Sequence, residues 1–151
     1  MLTPFHVAVQ VRDIAEARDF YGSKMGLPEG RSDTQWVDFN MYGHQFVTHL
    51  NPSLGPNGSL QRICNPVDNH SVPVPHCGVV MHFDDWNILA GKVSRFIDNF
   101  IIEPYIRFKG EVGEQATMFF LDPSGNALEF KAFRNIEKEL FAKEPLADSN
   151  I

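Results

Sequence analysis

The chain has 151 residues, 43% of them apolar and 21% charged, with a formal net charge of −6. That length suits one compact domain, and the composition is typical of a globular chain, not a disordered one. An acidic chain without a basic run is not expected to bind nucleic acid or an anionic membrane surface, and no apolar run is long enough to span a bilayer.

The first half of the sequence predicts a strand, a helix and a pair of further strands. Asp13 is suited to cap the helix and Gly26 to end it, and Ala17, Phe20 and Tyr21 recur between them at helical spacing. The first of the two further strands alternates polar and apolar residues, and a Gly-His turn joins it to the second. The predicted segments are a strand at 5–11, a helix at 12–26 and strands at 34–42 and 45–50.

The second half repeats this order after a loop. Residues 51–75 are rich in Pro, Asn, Ser and Gly, a composition that predicts a loop or linker. A strand then covers 75–83, a helix is capped by Asp84 or Asp85, and one or two strands lie within 101–115. Residues 116–133 form two strands around a D-P-S-G-N turn, and a polar helical tail follows.

The two halves are therefore repeats, about 70 residues apart. We predict an α+β fold of two βαβββ modules, which must pair within one chain or between two chains because each sheet has one face to cover. The whole of residues 1–151 is expected to be a single domain: module one covers about 4–50, the linker about 51–74, module two about 75–133 and the tail 134–151.

Two quoted stretches carry a family resemblance. "FHVAVQVRDIAEARDFYGSKMGL" and "MFFLDPSGNALEFKAF" resemble the opening and closing signatures of the vicinal oxygen chelate superfamily, which includes glyoxalase I, extradiol dioxygenases and fosfomycin- and bleomycin-resistance proteins. The resemblance covers residues 4–133, and the segment from Arg107 to Phe133 is most similar to small extradiol-dioxygenase-like proteins. It implies that the paired modules form a curled mixed sheet whose concave cavity holds a divalent metal, and that the chain forms a homodimer.

The resemblance also implies a set of metal ligands. In the family pattern they come from the first strand of each module and from the last strand of the second, which here carry His6, His76 and Glu129. Two imidazoles and one carboxylate suit non-haem Fe(II), although Mn, Zn or Ni also fit. Each residue taken alone also fits an ordinary role, a core histidine or a glutamate facing solvent beside Lys131.

Glyoxalase-type isomerases take a second carboxylate from the last strand of module one, and that strand here, "QFVTHL", contains none. It offers His49 as a candidate acid/base. Arg107 alternates with Lys109 and Glu111 on a predicted strand, where it is a candidate to bind an anionic substrate. The roles of His44 and Gln115 are left open. His82 lies about 20 Å along the strand from His76, too far to share its metal.

These residues favour an extradiol-type ring-cleaving dioxygenase that acts on a small catechol-like substrate. Two alternatives stay open: a thiol transferase or lyase of the fosfomycin-resistance or glyoxalase type, and a metal-free protein that binds a small ligand. The two cysteines, Cys64 and Cys77, are too few for a disulfide scaffold, and we find no leader sequence. Free thiols in the cytoplasm are therefore expected, with a Cys64–Cys77 bridge as the alternative.

Overall fold

A computed structural model describes residues 3–67, 69–111 and 114–142. The strands are β1 (His6–Val11), β2 (Glu29–Asp33), β3 (Trp36–Met41), β4 (His44–Leu50), β5 (Ile63–Val67), β6 (His70–Val74), β7 (His76–Cys77), β8 (Val80–Met81), β9 (Ile102–Arg107), β10 (Gln115–Leu121) and β11 (Ala127–Phe133). The α-helices are α1 (Ile14–Ala17), α2 (Phe83–Val93) and α3 (Ile136–Glu139); a π-helix covers Arg18–Lys24 and a 3₁₀ turn covers Pro52–Leu54.

The strands form two mixed sheets, one for each module. The first has the order β1-β4-β3-β2 and the second β7-β11-β10-β9, with β8 also paired to β11. In both sheets the first strand runs parallel to the last strand of its module, and β8 also runs parallel to β11. The other pairs of these two sheets are antiparallel. The predicted α+β fold of two βαβββ modules is confirmed, with the difference that two open sheets replace a single curled one.

The first helix begins and ends where local signals predict. Asp13 accepts a hydrogen bond from the Glu16 backbone N–H at 2.7 Å, which satisfies one of the unpaired donors of the first turn. Gly26 ends the segment with a φ of 79°, a left-handed conformation that glycine adopts without steric cost. Between them the helix widens into the π form over Arg18–Lys24.

The buried faces of the two modules share one hydrophobic core. Phe20 of the first helical segment makes edge-to-face contact with Phe96, at 5.6 Å between ring centroids, and lies 6.4 Å from Phe120 of β10. Tyr21 is fully buried beside them, and its hydroxyl donates to Asp122 Oδ2 at 2.7 Å. The two modules are thus packed against each other within one chain.

Asp122 opens the D-P-S-G-N turn and fixes it against module one. Its carboxylate also accepts from the backbone N–H groups of Ser124 and Asn126 and from the Asn126 side chain, at 2.8–2.9 Å. The Asn126 amide reaches the Gln10 carbonyl as well. Burial raises the pKa of the Asp122 carboxyl and, together with the charge of Asp122, raises that of Tyr21 well above its usual value.

The segment between the modules is not the loop that its composition predicts. Strands β5 and β6 form an antiparallel hairpin in spite of prolines at positions 66 and 73. Val72 of this hairpin is buried in a second small core with Ile102, Phe119 and Ala127. The hairpin therefore covers part of the face of the second sheet that carries Phe119 and Ala127.

Module two differs from prediction at three boundaries. The strand expected over 75–83 is interrupted between β7 and β8, and the N-cap position of α2 is His82, two or three residues earlier than expected. Strand β9 ends at Arg107, because the chain turns at Phe108 (φ 52°) and Gly110 (φ 82°). Lys109 and Glu111 therefore do not extend the strand, which corrects the predicted alternation.

Of the expected tail, 143–151 lie outside the described residues. Among the described helices, none has the length and hydropathy needed to cross a membrane.

Candidate metal centre

His76 and Glu129 lie side by side on the face of the second sheet that carries Phe119. The distance from His76 Nε2 to Glu129 Oε2 is 3.4 Å. The register explains this proximity, because His76 of β7 is opposite Ala127 of β11 and Glu129 is two residues further on the same face. Two of the three ligands that the family resemblance implies are thus neighbours in the structure.

His76 Nδ1 and Glu129 Oε1 each contact a neighbouring polar group. His76 Nδ1 lies 2.7 Å from the backbone carbonyl of Pro73, which only accepts, so Nδ1 carries a proton and donates. Thr117 donates its hydroxyl to Glu129 Oε1 at 3.1 Å, and Lys131 Nζ is 3.4 Å from the same oxygen. The Glu129 side chain is only 15% exposed. His76 Nε2 and Glu129 Oε2 are left facing each other.

His6 occupies the equivalent position in the first sheet. Its Nδ1 is 2.8 Å from Gln45 Oε1, the residue opposite it on β4. Among the described residues, however, no group of three His, Cys, Asp or Glu side chains is close enough to hold a metal ion. The structure therefore brings His76 and Glu129 together and leaves His6 apart from them.

A cavity separates the two strands that carry the histidines. Its volume is about 400 Å³, and it lies between β1 and β7, with Leu60–Arg62 and the Gly125–Ala127 segment at its rim. This volume falls within the range of small-molecule sites. Since β1 belongs to the first sheet and β7 to the second, the cavity is bounded by both modules.

The module-one counterpart of Glu129 is Val47. His6 is opposite Gln45 and Val47 is two residues on, as Glu129 is two residues beyond the partner of His76. Val47 is 4% exposed. The missing fourth carboxylate noted in the sequence is thus a valine at a defined position.

His49 and Arg107 lie further from the ligands. His49 is exposed, two residues beyond Val47 on the same face, a Cα separation of about 6–7 Å. Arg107 is opposite Gln115, which is opposite Phe133. It shares the face of Glu129 but is displaced by about 13 Å along the sheet and about 10 Å across it. Its guanidinium stacks over Phe108 at 5.3 Å.

Three other polar residues have identifiable environments. His44 Nδ1 accepts from the Phe5 backbone N–H at 2.8 Å and so fastens the start of β1 to β4. His82 begins α2 and is exposed, which agrees with its exclusion as a ligand. Neither cysteine is in a disulfide, and burial raises the pKa of the Cys77 thiol to about 11, so Cys77 stays protonated at neutral pH.

Sequence reasoning missed Asp38, Thr117 and the Pro73 carbonyl. Asp38 is 8% exposed on β3 and accepts from Gln45 Nε2 at 3.0 Å. A lone aspartate between Val37 and Phe39 is a visible signal in the sequence, because a buried carboxylate requires partners. The Pro73 contact depends on a hairpin whose composition resembles a loop, and the sequence contains no signal for it.

The donor chemistry of His76 and Glu129 fits a divalent metal, and His6 presents its Nε2 in the same way but lies apart from them. In both histidines the Nδ1 proton points to an oxygen that only accepts, which leaves Nε2 as the ligating atom. Two atoms that each bind one ion at about 2.1 Å are about 3.0–3.4 Å apart, and the separation of His76 Nε2 and Glu129 Oε2 is 3.4 Å.

Comparison with known proteins gives one family. The family model of the Glyoxalase/Bleomycin resistance protein/Dioxygenase superfamily matches residues 3–130. No curated protein matches the chain.

Solved structures share the fold over most of the chain. A glyoxalase/bleomycin resistance protein/dioxygenase from Alicyclobacillus acidocaldarius is 29% identical, with a TM-score of 0.65, over 89% of this chain and 94% of that one. The fosfomycin resistance protein FosX from Listeria monocytogenes is 15% identical, with a TM-score of 0.57, over 87% and 94%. A glyoxalase/dioxygenase from Nostoc punctiforme is 18% identical, with a TM-score of 0.56, over 88% and 92%.

Proposed function

Because the chain belongs to the glyoxalase/bleomycin resistance protein/dioxygenase superfamily, we propose that it is a metal-dependent enzyme acting on a small substrate. The specific activity that we propose is extradiol-type ring cleavage of a catechol-like compound. The observation that carries the proposal is that His76 Nε2 and Glu129 Oε2 face each other at 3.4 Å. Members of this superfamily typically bind a divalent metal, which these atoms are oriented to receive.

His6, His76 and Glu129 are the proposed ligands, and the metal favoured is Fe(II), since two imidazoles and one carboxylate leave open coordination positions. When bound, Fe(II) supplies an electron-transfer path between a catechol and O₂. Val47 supports this assignment over a glyoxalase-type isomerase, because a valine cannot supply the fourth protein ligand. Mn, Zn and Ni are the competing metals.

The surrounding residues bind and orient the substrate. His49 is the proposed acid/base that accepts a proton from a catechol hydroxyl, since imidazole changes protonation near neutral pH. Arg107 is too far along the sheet to act at the metal, so its proposed role is to bind an anionic group at the distal end of the substrate. The β5–β6 hairpin excludes water from the face that carries Glu129.

The test combines metal content with turnover. Protein purified without oxygen and loaded with Fe(II) is expected to keep about one equivalent after dialysis and to cleave members of a catechol panel, read as ring-cleavage absorbance. Glu129→Gln should lose the metal, whereas the matched control Glu137→Gln, exposed on α3, should retain it. His49→Gln should keep the metal and lose turnover. Retained metal without turnover on any catechol would reject the dioxygenase assignment.

Two other functions have a specific observation in their favour. The fold shared with a fosfomycin resistance protein favours addition of a thiol to an epoxide, which Mn(II)-dependent consumption of glutathione would detect. The separation of His6 from the other two ligands favours a metal-free protein that binds a small ligand in the cavity. Absence of stoichiometric metal in wild-type protein, with no effect of His6→Ala on ligand binding, would establish that alternative.

The proposal includes a homodimer in a reducing, cytoplasmic setting. Exposed apolar side chains at Ile63, Val67 and Phe108 are candidates for burial between two copies of the chain. Light scattering coupled to size exclusion is expected to give twice the chain mass, and a value equal to the chain mass at micromolar concentration would contradict the dimer.

A further inference from the structure

Gln45 connects His6 to a buried carboxylate. Its Oε1 is 2.8 Å from His6 Nδ1, and its Nε2 donates to Asp38 Oδ2 at 3.0 Å. Asp38 is 8% exposed, and Arg31 Nε approaches its Oδ2 at 3.6 Å. The three side chains lie on neighbouring strands β1, β4 and β3, where Gln45 is opposite His6 and Asp38 is opposite Val47.

The direction of these hydrogen bonds determines the form of the imidazole. Because the Asp38 carboxylate only accepts, the NH₂ end of the Gln45 amide must face it, and the oxygen end then faces His6. That oxygen also only accepts, so His6 Nδ1 must carry the proton. His6 Nε2 therefore keeps its lone pair and its orientation.

The two histidines are held by different means. His76 Nδ1 contacts the backbone carbonyl of Pro73, which is fixed by the chain itself. The support of His6 is a flexible glutamine side chain, and its orientation depends on Asp38. A substitution at Asp38, which does not itself contact His6, can therefore alter the orientation of the His6 imidazole.

We propose that Asp38 and Gln45 are positioning residues that hold His6 with Nδ1 protonated and Nε2 available to the metal, Asp38 acting through Gln45. This inference rests on the proposed metal site, because it assigns His6 as a ligand. Its first consequence is nevertheless independent of any metal, since it concerns the tautomer of His6 in the metal-free protein.

The first experiment reads that tautomer directly. Long-range ¹H–¹⁵N spectra of metal-free protein above pH 8 are expected to show neutral His6 with its proton on Nδ1. Gln45→Met keeps the length of the side chain and removes the amide, and it should shift His6 toward the Nε2-protonated form that predominates in free histidine. Asp38→Ala should produce a partial shift. A wild-type His6 protonated on Nε2, or a tautomer unchanged in Gln45→Met, would overturn the inference.

The second experiment measures the affinity for Zn(II) and Mn(II) by competition with a chelator. Gln45→Met and Asp38→Ala are each expected to weaken binding by about 10–100-fold, and Asp38→Ala should have little further effect in the Gln45→Met background. Asp38→Asn retains an oxygen that can accept from Gln45, so it should recover most of the affinity. The matched control is Gln10→Ala, on the same face of β1 but bonded to Asn51, and it should bind as wild type does.

The two proposals fail in different ways. Wild-type protein that binds neither metal would reject the metal site, while the tautomer experiment would still decide the role of Gln45. Wild-type binding that depends on His6 but is unchanged in Gln45→Met would reject the positioning role alone. Gln45 is exposed, so its variant tests the proposal even where substitution of the buried Asp38 prevents folding.

Discussion

Gly78 lies against the backbone carbonyl of Glu129. A methyl group in its place would be 1.7 Å from that oxygen, well inside van der Waals contact. The residue next to His76 and Cys77 therefore allows β11 to approach closely enough for Glu129 to face His76. The amino acid at this position is determined by the approach of another strand, and no periodicity in the sequence indicates it.

We expect Gly78→Ala to lower the free energy of unfolding by about 3 kcal/mol, since the added atom must displace a β-strand backbone. The metal affinity should fall as well. Gly91→Ala is the matched control, because no heavy atom lies within 4 Å of its added methyl group. In the interior of a helix such as α2, alanine is more favourable than glycine by about 1 kcal/mol. Urea denaturation of both variants checks this, and equal stabilities would contradict it.

Asp122 gives a prediction of pH dependence. Its pKa is raised because burial, the largest effect, disfavours the ionised form, while hydrogen bonds from Asn126, Tyr21 and Ser124 act in the opposite direction. The folded state therefore binds this proton more tightly than the unfolded chain. The stability that this group contributes is fully present below its unfolded pKa, and it is lost as the pH rises through the folded value.

Replacing the carboxyl by an amide isolates this effect. The free energy of unfolding of wild type minus that of Asp122→Asn is expected to decrease as the pH rises through the raised pKa of Asp122, because the carboxyl ionises there and the amide does not. Denaturant titrations at a series of pH values measure the difference. A difference that increases with pH would mean that the hydrogen bonds outweigh the burial.

At the scale of elements, the β5–β6 hairpin connects packing to the candidate site. Val72 packs beside Phe119, whose ring contacts that of His76 at 4.9 Å. The next residue, Pro73, supplies the carbonyl that orients the same imidazole. The hairpin thus positions His76 from two sides.

Val72→Ala is expected to lower the free energy of unfolding by about 1–3 kcal/mol, through lost burial and the cavity that remains. It should also increase amide exchange over residues 70–76 and weaken metal binding through His76. Val67→Ala changes an exposed valine of the same hairpin and should do neither. Exchange rates that are the same in both variants would show that Val72 does not anchor the hairpin.

The sequence predicted elements where the signals are local and missed those that depend on tertiary contact. The first helix was predicted from Asp13 to Gly26 because a cap and a left-handed glycine act within their own segment. The hairpin was missed because Pro66 and Pro73 argue against a strand, and burial of Val72 outweighs that local preference. The start of α2 was misplaced because His82 makes no side-chain capping bond.

At the scale of the whole molecule, the shared core makes each module depend on the other. Phe20 contacts two phenylalanines of module two, and Tyr21 donates to Asp122 across the same boundary. The family resemblance of the sequence implied that His76 and Glu129 lie in one site, and that contact lies within one module. It could not fix the distance to His6, which depends on how the modules pack.

We therefore expect a single cooperative unfolding transition. The two tryptophans allow a direct test, since Trp36 lies in module one and Trp86 in module two. In Trp36→Phe and Trp86→Phe proteins the remaining tryptophan reports on one module, and its fluorescence should change at the same denaturant concentration as the circular dichroism of that variant. Separate midpoints would mean that the modules unfold independently.

The pairing of Asp38 with Val47 across β3 and β4 makes two designs of this site mutually exclusive. A glutamate at position 47 would restore the symmetry of the two modules and complete a four-ligand centre, but it would place a second carboxylate directly opposite the buried Asp38. Repulsion between the two would favour protonation of one of them or loss of the Gln45 contact. The proposed orientation of His6 through Asp38 and a fourth carboxylate at position 47 therefore compete, and converting one arrangement into the other requires both positions to change together.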